Sequence, residues 1–190
     1  KRVFFVILVG TLLLVYFFAI IRASNLELNN DFRSFYTSAK SFIQGENIYT
    51  SKNLDADQIK VENGIAHVLH PNLNPPFFTL LVLPFAILNF KFALSIFSIL
   101  SVLSGAIAIW TINRGLFSSN SKQALMPALA LYLAYFPTLA AVVLGQISIY
   151  LLLILTIVWV LSRKGRDKTA GILLGLALAV KLYTGLFLIF

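Results

Sequence analysis

Residues 3–21, VFFVILVGTLLLVYFFAII, decide what kind of molecule this is. Of these 19 residues the only non-apolar members are Gly10 and Thr11. At ~1.5 Å of rise per residue the stretch spans the ~30 Å hydrocarbon core of a bilayer, and it predicts a transmembrane helix. A cleaved leader would have a shorter apolar core and a small-residue cleavage site, which the following Arg22-Ala23-Ser24 imitates poorly.

Working outward, five more apolar blocks follow at residues 77–90, 92–112, 124–144, 147–161 and 169–190. The chain is 59% apolar and 12% charged, whereas soluble domains run at about 45–50% and about 25%. The excess needs lipid to cover it. The expected fold is therefore an all-α polytopic membrane bundle forming one membrane domain over residues 1–190, with a long loop at residues 22–76 and membrane helices over residues 77–190. With no Cys, disulfide frameworks, thiolate metal sites and cysteine nucleophiles are excluded. The chain starts with Lys and stops inside the apolar run Leu188-Ile189-Phe190, so a cut at the C-terminal end is expected.

Charge sets the orientation. Residues 22–76 hold five basic residues and six acids, leaving ten bases and Asp167 for the rest of the chain. The net charge of +8 thus flanks apolar spans and does not form a basic arm for nucleic acid, which is not an expected partner. Lys1-Arg2 and the cluster Arg163, Lys164, Arg166, Lys168 should both be cytoplasmic. If all six blocks crossed, these two groups would lie on opposite sides. Residues 77–90 are the weakest span: they are short, contain Pro84 and follow Pro75-Pro76, so they read as a re-entrant or interfacial helix, with the 22–76 loop outside.

That loop is where chemistry can reside. Asn30 can cap a helix in which Phe32, Phe35, Tyr36, Ala39, Phe42 and Ile43 form one apolar stripe that Gly45 ends, so the helix should lie in the membrane surface or across the tops of the others. Asp31 is in its first turn, where a carboxylate is more often a capping group stabilised by the helix dipole than a catalytic base. Asp55-Ala56-Asp57 resembles a metal-binding pair but fits an ordinary polar loop better. His67 and His70 could share a helix face, with no third ligand near, and no metal or other cofactor is expected. Gly145-Gln146 interrupts an apolar run as the tip of a tight turn. Lys181, twelve positions beyond Thr169 in the last block, would cost at least about 2.5 kcal/mol inside the bilayer, so it either snorkels or faces a cavity, counter-ion or substrate. Ser95, Ser98, Ser101 and Ser104 with Gly105, and the pair Gly171 and Gly175, are expected at helix contacts.

Taken in order, Asp31-Phe32-x3-Tyr36-x2-Ala39-x5-Gly45-x3-Tyr49, Asn74-Pro75-Pro76-Phe77-x6-Pro84, Gly145-Gln146-Ile147 and Ala170-Gly171-x3-Gly175-x5-Lys181-Leu182 resemble the successive motifs of the polyprenol-phosphate-mannose-dependent α-mannosyltransferases, glycosyltransferase family 87 of the GT-C superfamily. The chain departs from them at Asn74, where an aromatic residue often stands, and after Lys181, where a proline often follows soon. The resemblance implies a GT-C-like bundle, a lipid-linked sugar donor, a glycan or glycolipid acceptor, and a place among the lipids of a bacterial plasma membrane with the active site extracytoplasmic. It implies Asp31 as general base, Lys181 as the residue for the donor phosphate with Arg33 and Lys40 as further cations, and Tyr36 and Gln146 as site-lining residues. Members of the family are typically longer, so further helices and part of the acceptor pocket are expected outside this sequence. The rival expectations are a transporter or flippase core, which also uses intramembrane Lys and Gln, and a non-catalytic membrane subunit. No internal repeat supports the first of these.

Overall fold

The structure, a computed structural model, describes residues 2–26, 31–49, 59–62, 65–68, 72–116 and 121–188. The helices are α1 (Arg2–Asn25), α2 (Asp31–Ile43), α3 (Pro76–Ala86), α4 (Phe90–Leu116), α5 (Ser121–Ala134), α6 (Phe136–Val143), α7 (Ser148–Arg163) and α8 (Asp167–Val180), followed by a 3-10 helix, Leu182–Leu188. The helical expectation holds with one addition, an antiparallel hairpin of β1 (Ile59–Glu62) and β2 (Ile65–Val68), registered with Ile59 opposite Val68. His67 lies in β2, so it does not share a helix face with His70; His70, Asn30 and the pair Asp55 and Asp57 lie outside the described residues. No cluster of metal-ligating side chains occurs among the described residues.

Among the described residues two helices are long and apolar enough to cross a membrane, Val3–Asn25 and Phe90–Leu116, and a third span forms if the bent pair Gln123–Ala134 and Phe136–Val143 counts as one. Val3, Phe4, Ile7 and Phe18 on α1 and Leu103 and Ile107 on α4 are exposed. Outward apolar faces of this kind belong against lipid, and the protein is a polytopic helical membrane protein.

Two expected spans are broken. Residues 124–144 bend by 62° between α5 and α6, because Tyr135 is extended and Pro137 sits in the first turn of α6, where its ring and missing N–H stop the preceding helix. Residues 169–190 do not form one helix either. The chain leaves α8 at Lys181, whose backbone is extended (φ −148°, ψ 114°), and the Thr184 N–H and hydroxyl both donate to the Lys181 carbonyl.

The packing gives the bundle two distinct ends. Ser24 and Ser95 hydroxyls meet at 2.9 Å, which sets the end of α1 beside the start of α4. The Tyr150 hydroxyl donates to the Phe97 carbonyl near the starts of α7 and α4, and a Cβ on Gly115 would lie 3.0 Å from the Trp159 ring near their far ends, so α4 and α7 run parallel. The Ser98 hydroxyl donates to the Val142 carbonyl, bringing the end of α6 to the same level. α8 returns along α7 after a turn at Gly165, so Lys181 comes back level with the first turn of α7. One end, the loop end, therefore carries α2, α3, the starts of α4 and α7, and the ends of α1, α6 and α8. The other, the basic end, carries the start of α1, Arg114 and the exposed turn at residues 163–168.

α3 has only 11 residues, about 16 Å of helix, and packs on α2 at the loop end: Phe35 meets Phe78 and Phe32 meets Phe85 edge-on at 4.7 and 6.1 Å. At the basic end Arg114 lies over Trp110 and Arg163 over Trp159, the pairing of interfacial aromatics with cations that anchors helix ends at a membrane surface. Of the small-residue motifs, Ser98, Ser101 and Gly105 are buried at helix contacts as expected. Gly171 and Gly175 are instead exposed, and a Cβ on either would meet nothing within 4 Å.

Candidate active site at the loop end of the bundle

α2 is amphipathic as expected, but its buried stripe is narrower: Phe32, Phe35 and Ala39 are buried together with Ser34, Ser38 and Ser41, whereas Phe42 and Ile43 are exposed. The helix stops at Gly45 (φ +73°), where the Glu46 and Gly45 N–H groups return to the Ser41 and Phe42 carbonyls, so the last carbonyls of the helix are satisfied without a side chain.

Phe32 fixes the position of Asp31. Its ring has no exposed surface and meets Phe97 at 4.7 Å, Phe90 at 6.0 Å and Tyr36 at 6.1 Å, contacts worth about 0.5–1.5 kcal/mol each beyond area burial. Its N–H, an orphan donor of the first helical turn, goes to the Leu144 carbonyl at 3.3 Å. The tight turn after α6 is thereby stitched to the head of α2. Gly145 is in the left-handed region (φ +63°), and a Cβ there would lie 2.5 Å from Phe32 Cβ; no other residue type lets α2 approach so closely. Asp31, exposed, thus sits one residue from this contact on one strand of chain, and half-buried Gln146 one residue from it on the other.

Arg33, Tyr36 and Lys40 extend the site along α2. The Arg33 guanidinium lies over the Phe90 ring at 4.4 Å, the Tyr36 hydroxyl donates to the Leu88 carbonyl at 2.7 Å, and Lys40 Nζ stands 5.5 Å from the Tyr36 ring. Two cations are therefore held over aromatic faces on the same helix as the carboxylate.

Lys181 is placed differently. It reaches the opposite end of the α2–α3 pair, where its ammonium donates to Asn74 Oδ1 at 2.8 Å. It is half-buried, and among the described residues it pairs with this neutral amide and with no carboxylate. Asn74 is buried and belongs to a polar cluster that residue-type reasoning did not single out: its N–H and Nδ2 both donate to Asn72 Oδ1, and its carbonyl accepts from the Tyr49 hydroxyl. The available signal was Asn-x-Asn directly before the double proline, since an Asn two residues back can accept the backbone N–H in a turn.

Between these poles lies an apolar cleft of about 220 Å³ under α3, lined by Phe78, Leu81, Phe85, Ile147, Ile154 and Val180 among others. Its lining residues Ile147 and Val180 are the chain neighbours of Gln146 and Lys181. Asp31, Arg33, Tyr36, Lys40, Gln146 and Lys181 all come to one end of the bundle, with Asp31 and Lys181 at its two poles. The arrangement brings a carboxylate, three cations and an apolar cleft to one end of the bundle.

The sequence pattern of glycosyltransferase family 87 matches residues 72–190, more than half of the chain; the match includes Asn74, Gln146 and Lys181 and begins after α2. Comparison with curated proteins and with solved structures finds no match.

Proposed function

The chain belongs to glycosyltransferase family 87, and from that premise we propose that this membrane glycosyltransferase moves a mannose-like sugar from a polyprenyl phosphate to an acceptor hydroxyl, with inversion, at the extracytoplasmic face of a bacterial plasma membrane. The observation that carries the proposal is the apolar cleft whose walls run directly into Gln146 and Lys181 at the end of the bundle that also holds Asp31. The cleft suits the first isoprene units of a polyprenyl chain, and the phosphate then comes to rest at the cation on the rim.

The reaction needs little more. The acceptor oxygen attacks the anomeric carbon from the face opposite the phosphate; its proton passes to the Asp31 carboxylate. The bond from the anomeric carbon to the phosphate oxygen breaks, its electron pair leaves with polyprenyl phosphate, and the single displacement inverts the configuration. The leaving phosphate gains negative charge as the bond breaks, so a fixed cation acts where charge develops. Lys181 supplies it, and Arg33 and Lys40 line the approach with Tyr36 and Gln146.

Sidedness follows from charge. The start of α1, Arg114 and the 163–168 turn belong to the basic end, which the positive-inside rule puts in the cytoplasm; the loop end is then outside, and α3 does not cross. Membranes containing the full-length protein should release mannose from polyprenyl-phosphate mannose onto acceptor, and the Asp31→Asn protein should bind the donor yet fail to transfer. Donor that is moved across the membrane with its sugar still attached would instead identify a transporter.

A further inference from the structure

Resting on the assignment of Lys181 to the donor phosphate, we infer that Asn74 is a positioning residue that aims the Lys181 ammonium without neutralising it.

An ammonium has three donors on a flexible four-carbon stem, and by itself holds no fixed direction. Here one donor is tied to Asn74 Oδ1 at 2.8 Å, and among the described residues the other two are left for a ligand. The acceptor is rigid. Asn74 is only 4% exposed, and all four of its polar atoms are engaged: N and Nδ2 with Asn72 Oδ1, the carbonyl with the Tyr49 hydroxyl, and Oδ1 with Lys181. Asn72 is in turn oriented by its Nδ2 donating to Thr79 Oγ1 on α3. This network also settles which way the Asn74 amide points, because the opposite orientation would set its NH2 group against the Lys181 ammonium and its oxygen against Asn72 Oδ1, losing both side-chain bonds. Pro75 is extended (φ −57°, ψ 152°) and Pro76 starts α3, so the chain passes from Asn74 directly into the helix.

The choice of an amide matters electrostatically. A carboxylate in the same place would orient the lysine equally well but cancel its charge, leaving nothing to meet a developing phosphate dianion. A neutral carbonyl gives direction and leaves the full positive charge available. The extended backbone at Lys181 completes the device, since it turns the side chain out of the helix and across to α3.

The test is a double-mutant cycle in the full-length, membrane-reconstituted protein, with polyprenyl-phosphate mannose as donor and kcat/KM for that donor as the readout. Asn74→Ala should lower it roughly 10- to 100-fold, the worth of one hydrogen bond to a charged group. In a Lys181→Met background the same substitution should cost almost nothing further, because its whole effect runs through the ammonium. Asn74→Asp, which keeps shape and acceptor, should be worse than Asn74→Ala and should raise the donor KM. Multiplying losses in the cycle, or an Asp variant that works as well as wild type, would mean that Asn74 only holds the fold together and would overturn the inference while leaving Lys181 in place. A Lys181→Met protein with normal kcat/KM would overturn the phosphate assignment and the positioning role together. Should the Ala variant fail to accumulate as folded protein, the near-isosteric Asp variant, checked by its melting temperature, decides between the same outcomes.

Discussion

At the basic end of the bundle Arg114 and Arg163 lie over Trp110 and Trp159 at 4.8 and 5.1 Å, and residues 163–168 are exposed. At the loop end Lys181 is half-buried and hydrogen-bonded to Asn74, which is itself held by three further hydrogen bonds, two to Asn72 Oδ1 and one from the Tyr49 hydroxyl. The same kind of charge stands in two different settings. An exposed cation beside tryptophan is screened and adjustable, which suits anchoring a helix end in a headgroup layer. A cation withdrawn from water and directed by a neutral partner keeps its field, which suits an anionic ligand.

Substitutions at the two ends should therefore differ by orders of magnitude. The largest effect is expected at Asp31. Asn is as good a helix cap and nearly the same shape but takes no proton at neutral pH, so Asp31→Asn should fold and insert while losing roughly 10²–10⁴-fold in transfer rate. Full activity would leave Asp31 as a helix-capping residue only. Next comes Lys181→Met, which removes charge at constant length. Loss of one group that stabilises developing negative charge predicts a drop of roughly 10²–10³-fold in turnover, measured with polyprenyl-phosphate mannose, whereas a lysine that only snorkels would tolerate the change.

A third substitution examines the seam that holds Asp31 in place. Gly145→Ala must strain a left-handed backbone and push against Phe32 Cβ, so it should cost about 1–3 kcal/mol, visible as a melting temperature lower by several degrees. An unchanged melting curve would show that α2 does not depend on this turn.

The smallest effect is expected at the basic end. Replacing Arg163, Lys164, Arg166 and Lys168 by Gln should leave turnover of correctly inserted protein within about twofold, since exposed positions outside a packed network matter little. The orientation itself is checked with single cysteines at Asn53 and Ser162 in this Cys-free chain: only the first should react with an impermeant thiol reagent added outside. Reaction of both from that side would collapse the distinction between the two ends.

Much of this was written in local pattern. The apolar blocks, the amphipathic period of α2, the Gly45 stop and the tight turn at Gly145 depend on neighbours a few residues apart, and sequence spacing reports such relations directly. Gln146 and Lys181 could be singled out because a polar group in an apolar surrounding is conspicuous by its cost, and Asp31 by its place in the first turn of an amphipathic helix. Tertiary structure alone decided which partners those residues have. The break of the last block at Lys181, the bond from Lys181 to Asn74 across 107 positions of chain, the seating of Phe32 against Gly145, and the exposure of Gly171 and Gly175 despite a helix-packing motif all depend on which surfaces come into contact. Hydrophobic period states that a face will be covered but not by what, and the value of a polar side chain depends on partners that only the folded chain brings within hydrogen-bonding distance.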